Sequence, residues 1–178
     1  MSTDTAPGRP DPGSAHPALE PGHARGERVR DTSRPAPPAR RVVLAEVTDR
    51  PLDVAAHEAA VAGPTSGAVV TFAGVVRDHD GGRPVRGIEY VGHPGAAGVL
   101  AAVVAEVTAR SEVDAVAVSH RIGELAVGEA ALVVTVAGAH RQEAFAAAAL
   151  LVDEVKHRLP VWKRQVFADG TDEWVSCP

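Results

Sequence analysis

GAVVTFAGVVRDHDGGRPVRGIEYV, residues 67–91, is the stretch on which the reading of the fold turns. Gly67 to Arg77 is rich in β-branched residues, the composition of a strand. His79-Asp80-Gly81-Gly82 is turn-forming, and a second strand-like run follows from Val85 to Val91. Two such runs about a Gly-containing turn read as a β-hairpin. On the N-terminal side, Val42 to Val47 reads as a strand. Pro51 to Ala62, with Pro at the start and Gly63-Pro64 beyond, reads as a short helix. On the C-terminal side, Pro94 to Arg110 sets Leu100, Val103, Val104 and Val107 at helical spacing. Ala115 to Ile122 and Ala130 to Ala137 read as strands joined by a loop containing Gly123 and Gly128. His140 to Leu159 is the longest helical pattern, with Phe145, Ala149, Val152 and Val155 or Leu159 on one stripe, and Pro160 ends it. Val161 to Phe167 and Glu173 to Ser176 read as a closing strand pair about the Asp169-Gly170 turn. Helices and hairpins mixed in this order predict an α+β sandwich rather than a doubly wound parallel sheet.

The 178 residues suit one domain with a tail. Residues 1–40 hold 8 of the 14 prolines and 6 of the 16 arginines but hardly any large apolar residue. They read as a disordered Pro/Arg-rich tail ahead of one domain over 41–178. No run of about 18 apolar residues and no N-terminal apolar segment are found, so a membrane span and export are not supported and the cytoplasm is expected. One cysteine, Cys177, leaves no disulfide framework and no cysteine-rich zinc site. The histidines show no zinc-motif spacing, so no metal is expected. The net charge of -5 argues against nucleic-acid binding.

Only two lysines occur, Lys156 and Lys163, and they lie seven residues apart in KHRLPVWKR, residues 156–164. Arg stays protonated, whereas a crowded or buried Lys approaches neutrality and serves as base or nucleophile. The segment carries five potentially positive side chains and no acid, with one lysine on each side of Pro160. Crowding would lower each amine's pKa. The plainer reading is a solvated helix end whose cations meet the negative pole of the helix dipole. Arg77 ends one strand run, and His140-Arg141 opens the long helix, where free N–H groups suit a phosphate or carboxylate. An Arg77 salt bridge and a capping His140 are the structural alternatives. His120-Arg121 is read as structural and Phe72 as core, while Trp162 suits either the core or stacking on a heterocycle.

Four motifs, in order, resemble one family. GAVVTFAGVVRDHD (67–80), SHRIGELAVGE (119–129), VAGAHRQEAF (136–145) and KHRLPVWKR (156–164), with the closing DEWV (172–175), are similar to the large, catalytic subunit of molybdopterin synthase. The resemblance implies an α/β-hammerhead-type sandwich of antiparallel and mixed sheet with helices packed on it. It implies an enzyme that adds two sulfur atoms to cyclic pyranopterin monophosphate, giving the dithiolene of molybdopterin, with no cofactor. The implied donor is a small ubiquitin-like subunit with a C-terminal Gly-Gly thiocarboxylate. A homodimer of large subunits would form the core of a heterotetramer. Lys156 and Lys163 fall on the family's essential lysines. Val75, Val76, Arg77, His140, Arg141, Arg164 and Gln165 fall on its substrate-contact positions. One helix from His140 to Lys156 is about 24 Å long, too far for both ends to touch one pterin, so each active site is expected to draw on two chains. The rivals are a noncatalytic module docking a ubiquitin-like tail and a small RNA-binding domain using the basic segment and Trp162.

Overall fold

The computed structural model describes residues 37–176. The tail reading for the first 36 residues, and Cys177, lie outside the described residues. In chain order the elements are β1 (Arg41–Thr48), α1 (Val54–Val61), β2 (Ala68–Val75), β3 (His79–Asp80), β4 (Arg83–Gly92) and α2 (Ala96–Ala109). They continue with β5 (Ala115–Arg121), β6 (Gly123–Ala126), β7 (Ala130–Gly138), α3 (Arg141–Arg158), β8 (Val161–Phe167) and β9 (Asp172–Ser176).

The strands form two sheets. The first has the order β1-β5-β7-β2, with β1 parallel to β5 and the other pairs antiparallel. Its central strand β5 is buried throughout, in keeping with the unbroken apolar run Ala115 to Val118, and it also buries Ser119, His120 and Arg121. The second sheet runs β3-β4-β8-β9, with β6 paired to β4. This is the α+β architecture expected.

The residue 67–91 hairpin is not formed as read. The turn at Gly81-Gly82 closes only the two-residue β3 against the start of β4. β2 instead pairs with β7 in the first sheet, Ala68 opposite Gly138 and Phe72 opposite Val134. Turn chemistry specifies that the chain reverses there; it does not choose the partner of a long apolar strand, which follows the larger burial. The segment Gly123 to Gly128, read as loop, holds the short strand β6 between two glycines of φ +88.

α1 begins at Val54, capped by the Asp53 carboxylate, which accepts from the Ala56 N–H at 3.0 Å. It docks through the buried His57. Nδ1 donates to the Asp53 carbonyl at 2.6 Å, so Nε2 accepts from the Ser119 hydroxyl at 2.8 Å. α2 buries Leu100, Val103, Val104 and Val107, as its spacing predicts. Together with α3 and β5 and β7 it encloses the main core around Leu100, Leu151, Val116 and Val134. α3 buries Ala144, Ala147, Ala148, Leu151 and Val155, a stripe rotated from the expected one, and leaves Phe145 62% exposed. The helix is alanine-rich on most of its circumference, so period alone cannot choose its face; the small side chains lie against the sheet and allow a close approach.

Pro160 makes the corner on which the site depends. Leu159 and Val161 are buried on either side of it, and its carbonyl accepts from His93 N at 3.0 Å. The chain therefore turns from the last turn of α3 straight into β8, leaving Lys156 and Lys163 as neighbours in space.

Candidate active site

The ends of β2, β4, β8 and α3 surround one cleft with two compartments. The polar compartment, about 260 Å³, is lined by Arg77, His79, Asp80, Lys156, Lys163 and Gln165, with Val75, Val85, Ile88 and Tyr90. The apolar one, about 140 Å³, is lined by Phe72, Gly74, Val75, Val76, Ile88, Ala131, Leu132, Val155 and Val161, with Tyr90, His120 and Lys156. Lys156 therefore stands at the seam between them. A small cluster of Val76, Leu125 and Ala131, with Ile88 and Tyr90 packed on it, supports the floor.

Strand alternation decides which of the basic residues reach the cleft. On β8, Lys163 and Gln165 face it, and Arg164 turns to the opposite face. There the Arg164 Nε meets Asp172 at 2.9 Å and its Nη1 meets Glu89 at 3.2 Å. These carboxylates, Asp172 first, raise the Arg164 pKa above its ordinary value. Arg158 is likewise taken up by Glu106 at 2.8 Å and Glu154 at 3.2 Å. The positive segment is thus not one island: its arginines are neutralised outside the cleft. Neither lysine has a carboxylate within ion-pair distance among the described residues.

One acid enters the cleft. Asp80 accepts from Gln165 Nε2 at 3.0 Å and from Arg77 Nη2 at 3.2 Å. The Gln165 hydrogen bond, then the charges of Lys163 and Arg77, hold its carboxyl below the ordinary range against the opposing effect of desolvation. The Arg77–Asp80 pair is exposed and of little energetic weight, so Arg77 is free to exchange this carboxylate for a bound anion. The geometry offers two ammonium groups and one guanidinium around a space open on one side to a hydrocarbon pocket.

His140 and Arg141 are not brought here. His140 is the N-cap of α3 without a side-chain cap bond, and both residues are exposed. Arg141 is separated from Lys156 by about 22 Å of helix. Antiparallel pairing likewise puts Gly138 beside Ala68, at the far end of β2 from Val75. Of the residues singled out in the sequence, Val75, Val76, Arg77, Lys156, Lys163 and Gln165 converge; His140, Arg141 and Arg164 do not. Asp80 and His120 were not among the site candidates. Period-two alternation through β8 carries the signal for Arg164 and Gln165, whereas no local pattern marks Asp80 as more than a turn residue.

Among the described residues, no group of three His, Cys, Asp or Glu side chains is placed to hold a metal ion, and no helix is long and apolar enough to cross a membrane.

The family model described as MoaE protein matches residues 47–158. The molybdopterin synthase catalytic subunit 1 of Mycobacterium tuberculosis is 39% identical over 130 residues, covering 72% of this chain and 88% of that protein. The chain belongs to the MoaE family. A second MoaE relative, the molybdopterin synthase catalytic subunit of a Nostoc species, is 37% identical over 132 residues, covering 73% of this chain and 80% of its own. The crystal structure of molybdopterin synthase from Staphylococcus aureus superposes with a TM-score of 0.69 at 26% identity, over 74% of this chain and 96% of that one. MoaE proteins are thus the enzyme family of molybdenum cofactor biosynthesis to which the fold, and not only the motifs, belongs. The MoaE match ends before β8, so Lys163 lies outside it and Lys156 within it.

Proposed function

We propose that this chain is the catalytic subunit that transfers sulfur from a thiocarboxylated ubiquitin-like small subunit to cyclic pyranopterin monophosphate, forming the dithiolene of molybdopterin. The observation that carries the reading is the pair of lysines without carboxylate partners, meeting Arg77 in one cleft of an acidic chain. An anionic phosphate substrate fits that charge. The names of the relatives, catalytic subunits, presuppose another subunit, and the hydrocarbon compartment beside Lys156 suits a slender peptide tail.

In this mechanism the thiocarboxylate sulfur attacks an oxygen-bearing side-chain carbon of the pterin, so that a C–S bond forms as the C–O bond breaks and the protonated oxygen leaves as water or, at the ester carbon, stays on the phosphate. Water then cleaves the acyl–sulfur bond, returning the donor as a carboxylate and leaving sulfur on the pterin. Lys163 moves the proton at the reacting carbon, and Lys156 orients the acyl group. Two donors are consumed per dithiolene. With the donor tail seated, water is excluded and each fixed charge acts more strongly on developing negative charge. Arg77 holds the phosphate with His140 and Arg141 of a second copy, because the length of α3 keeps a chain's own pair away from its own cleft. Gln165 fixes Asp80, and Val75 and Val76 form the wall. Arg164, whose side chain lies on the other face, supports the strand that carries Lys163. The edge strand β2, with Val69 and Val75 exposed, and the exposed Phe145 supply an apolar face for the second copy.

The test is reconstitution. The purified chain, thiocarboxylated small subunit and cyclic pyranopterin monophosphate are expected to yield the dithiolene, and the same donor with a carboxylate terminus to yield none. Absence of product with the thiocarboxylate donor, or a chain that binds donor without turnover, would return the reading to a docking module.

A further inference from the structure

The mechanism gives Asp80 no step, yet its carboxylate stands where an anion is to bind. Among the described residues lining the polar compartment it is the one acid, beside Arg77, Lys156 and Lys163. Its charge opposes the phosphate that these three cations attract. A cleft built only to draw anions in would be served better by a neutral residue at this position.

The carboxylate is held from two sides that differ in strength. Its Oδ2 accepts from Gln165 Nε2 at 3.0 Å and its Oδ1 from Arg77 Nη2 at 3.2 Å. Gln165 is 3% exposed on β8, paired with Ile88 on one side and Glu173 on the other, so the sheet fixes the amide that grips Asp80. Arg77 and Asp80 form an exposed pair, and exposed pairs hold weakly. The backbone adds a further restraint: Asp80 is locked opposite Arg83 across the turn whose Gly81 and Gly82 both have positive φ. A phosphate that takes Arg77 therefore leaves Asp80 in place on Gln165, beside the bound anion. The carboxylate also stays ionised. The Gln165 hydrogen bond, and after it the charges of Lys163 and Arg77, hold its pKa below the ordinary range against desolvation.

The reaction changes the charge that this carboxylate faces. A cyclic phosphate is a diester with one negative charge. Breaking its C–O bond at the ester carbon opens the ring and leaves a phosphomonoester, which carries close to two charges above neutral pH. One unit charge at about 4 Å shifts an equilibrium about fivefold even at the screening of bulk water. That repulsion acts once on the cyclic ester and twice on the opened one. We propose that Asp80 is a specificity-determining residue of the anion site, its fixed carboxylate making the cleft favour a singly charged cyclic phosphodiester over doubly charged phosphomonoesters, the ring-opened product included. Discrimination of this kind works by what it rejects, and here it also speeds departure of the opened product. The inference rests on the sulfur-transfer reading above.

The variants are Asp80→Asn, which keeps the shape and removes the charge, and Asp80→Glu, which keeps the charge. Calorimetry without donor, at about pH 8, follows two probes: cyclic pyranopterin monophosphate, and the same pterin with its phosphate ring opened by hydrolysis to the monoester. Steady-state sulfur transfer is measured alongside, with the opened pterin as competitor. Asp80→Asn is expected to bind the cyclic probe about fivefold and the opened probe about 25-fold more tightly than wild type, moving the ratio about fivefold toward the monoester. The opened pterin becomes a correspondingly stronger inhibitor. Asp80→Glu keeps the wild-type ratio. Because affinity rises in Asp80→Asn, damage to the fold cannot imitate the result. An unchanged ratio, weaker binding of both probes in Asp80→Asn, as for a residue that merely holds Arg77 in position, or an Asp80→Glu that behaves like Asp80→Asn would overturn the proposal. If Asp80→Asn does not fold, Asp80→Ser, also neutral and turn-forming, carries the same decision. A wild-type chain that neither turns over nor binds either pterin would sink the parent reading instead, while wild-type turnover with an unchanged ratio in Asp80→Asn sinks only this one.

Discussion

Two inactive variants, Arg141→Ala and Lys163→Ala, are expected to restore activity when combined. Fifteen residues of α3 separate Arg141 from Lys156, a distance of about 22 Å, and seven residues of β2 separate the two ends of its pairing with β7 by about 23 Å. A pterin phosphate held by both lysines cannot reach the Arg141 of its own chain. In a mixed dimer, the cleft with intact Lys163 faces the chain with intact Arg141, and the other cleft lacks both. Purification through both tags keeps only mixed dimers, and one of the two clefts in each is complete, so about half of wild-type sites return. Loss of a charge-assisted hydrogen bond costs about 1.5–3 kcal/mol, so Arg141→Ala alone is expected to lower kcat/KM by about 10- to 150-fold, well resolved from that recovery. The assay is dithiolene formation by two differently tagged chains, co-expressed and purified through both tags. No recovery, with both single variants inactive and the mixed dimer formed, would mean that each chain completes its own cleft and the helix-length reasoning is wrong.

Three further outcomes follow from the geometry. His120 has a pKa of about 4 in the fold against an ordinary 6.5, so the unfolded chain binds the extra proton between these values. Its contribution is complete above pH 6.5 and falls with pH to a loss of about 3 kcal/mol below pH 4; urea unfolding of His120→Phe should be correspondingly less acid-sensitive than wild type, and parallel pH profiles would contradict this. Gly67→Ala sets a methyl group against the Ala139 carbonyl oxygen, just before α3, and should lower stability by about 1–3 kcal/mol in thermal unfolding; an unchanged midpoint would show that the backbone there yields. Leu151→Ala, at a fully buried position of α3, should cost about 2–5 kcal/mol in urea unfolding, and a loss below 1 kcal/mol would mean that the core closes over the gap.

The sequence makes some of this structure legible and conceals the rest for identifiable reasons. α2 is readable because Leu100, Val103, Val104 and Val107 form a single narrow stripe among smaller residues. The β8–β9 pair is readable because the Asp169-Gly170 turn joins two short strands that follow one another directly in sequence. The strand from Gly67 is read correctly but its partner is not, because β7 lies more than fifty residues downstream and only tertiary burial selects it. Phe145 is misread as core because an alanine-rich helix has no single apolar face, and the larger side chain looks like the buried one. In the cleft, the rarity of lysine marks Lys156 and Lys163 at once. Asp80 and His120 carry no such mark. One is a turn former and the other the end of an apolar strand until the fold brings them beside the lysines.

The central claim is that Lys163 and Lys156 carry out sulfur transfer in this cleft rather than only attract its ligands. The most direct measurement is single-turnover dithiolene formation by Lys163→Ala with saturating thiocarboxylated small subunit and cyclic pyranopterin monophosphate, alongside calorimetric donor affinity. A rate lowered by about 100-fold or more, as for loss of a proton-transfer group, with donor affinity within about twofold, is the predicted result. A rate close to wild type, or a loss fully explained by weaker donor binding, would contradict the account.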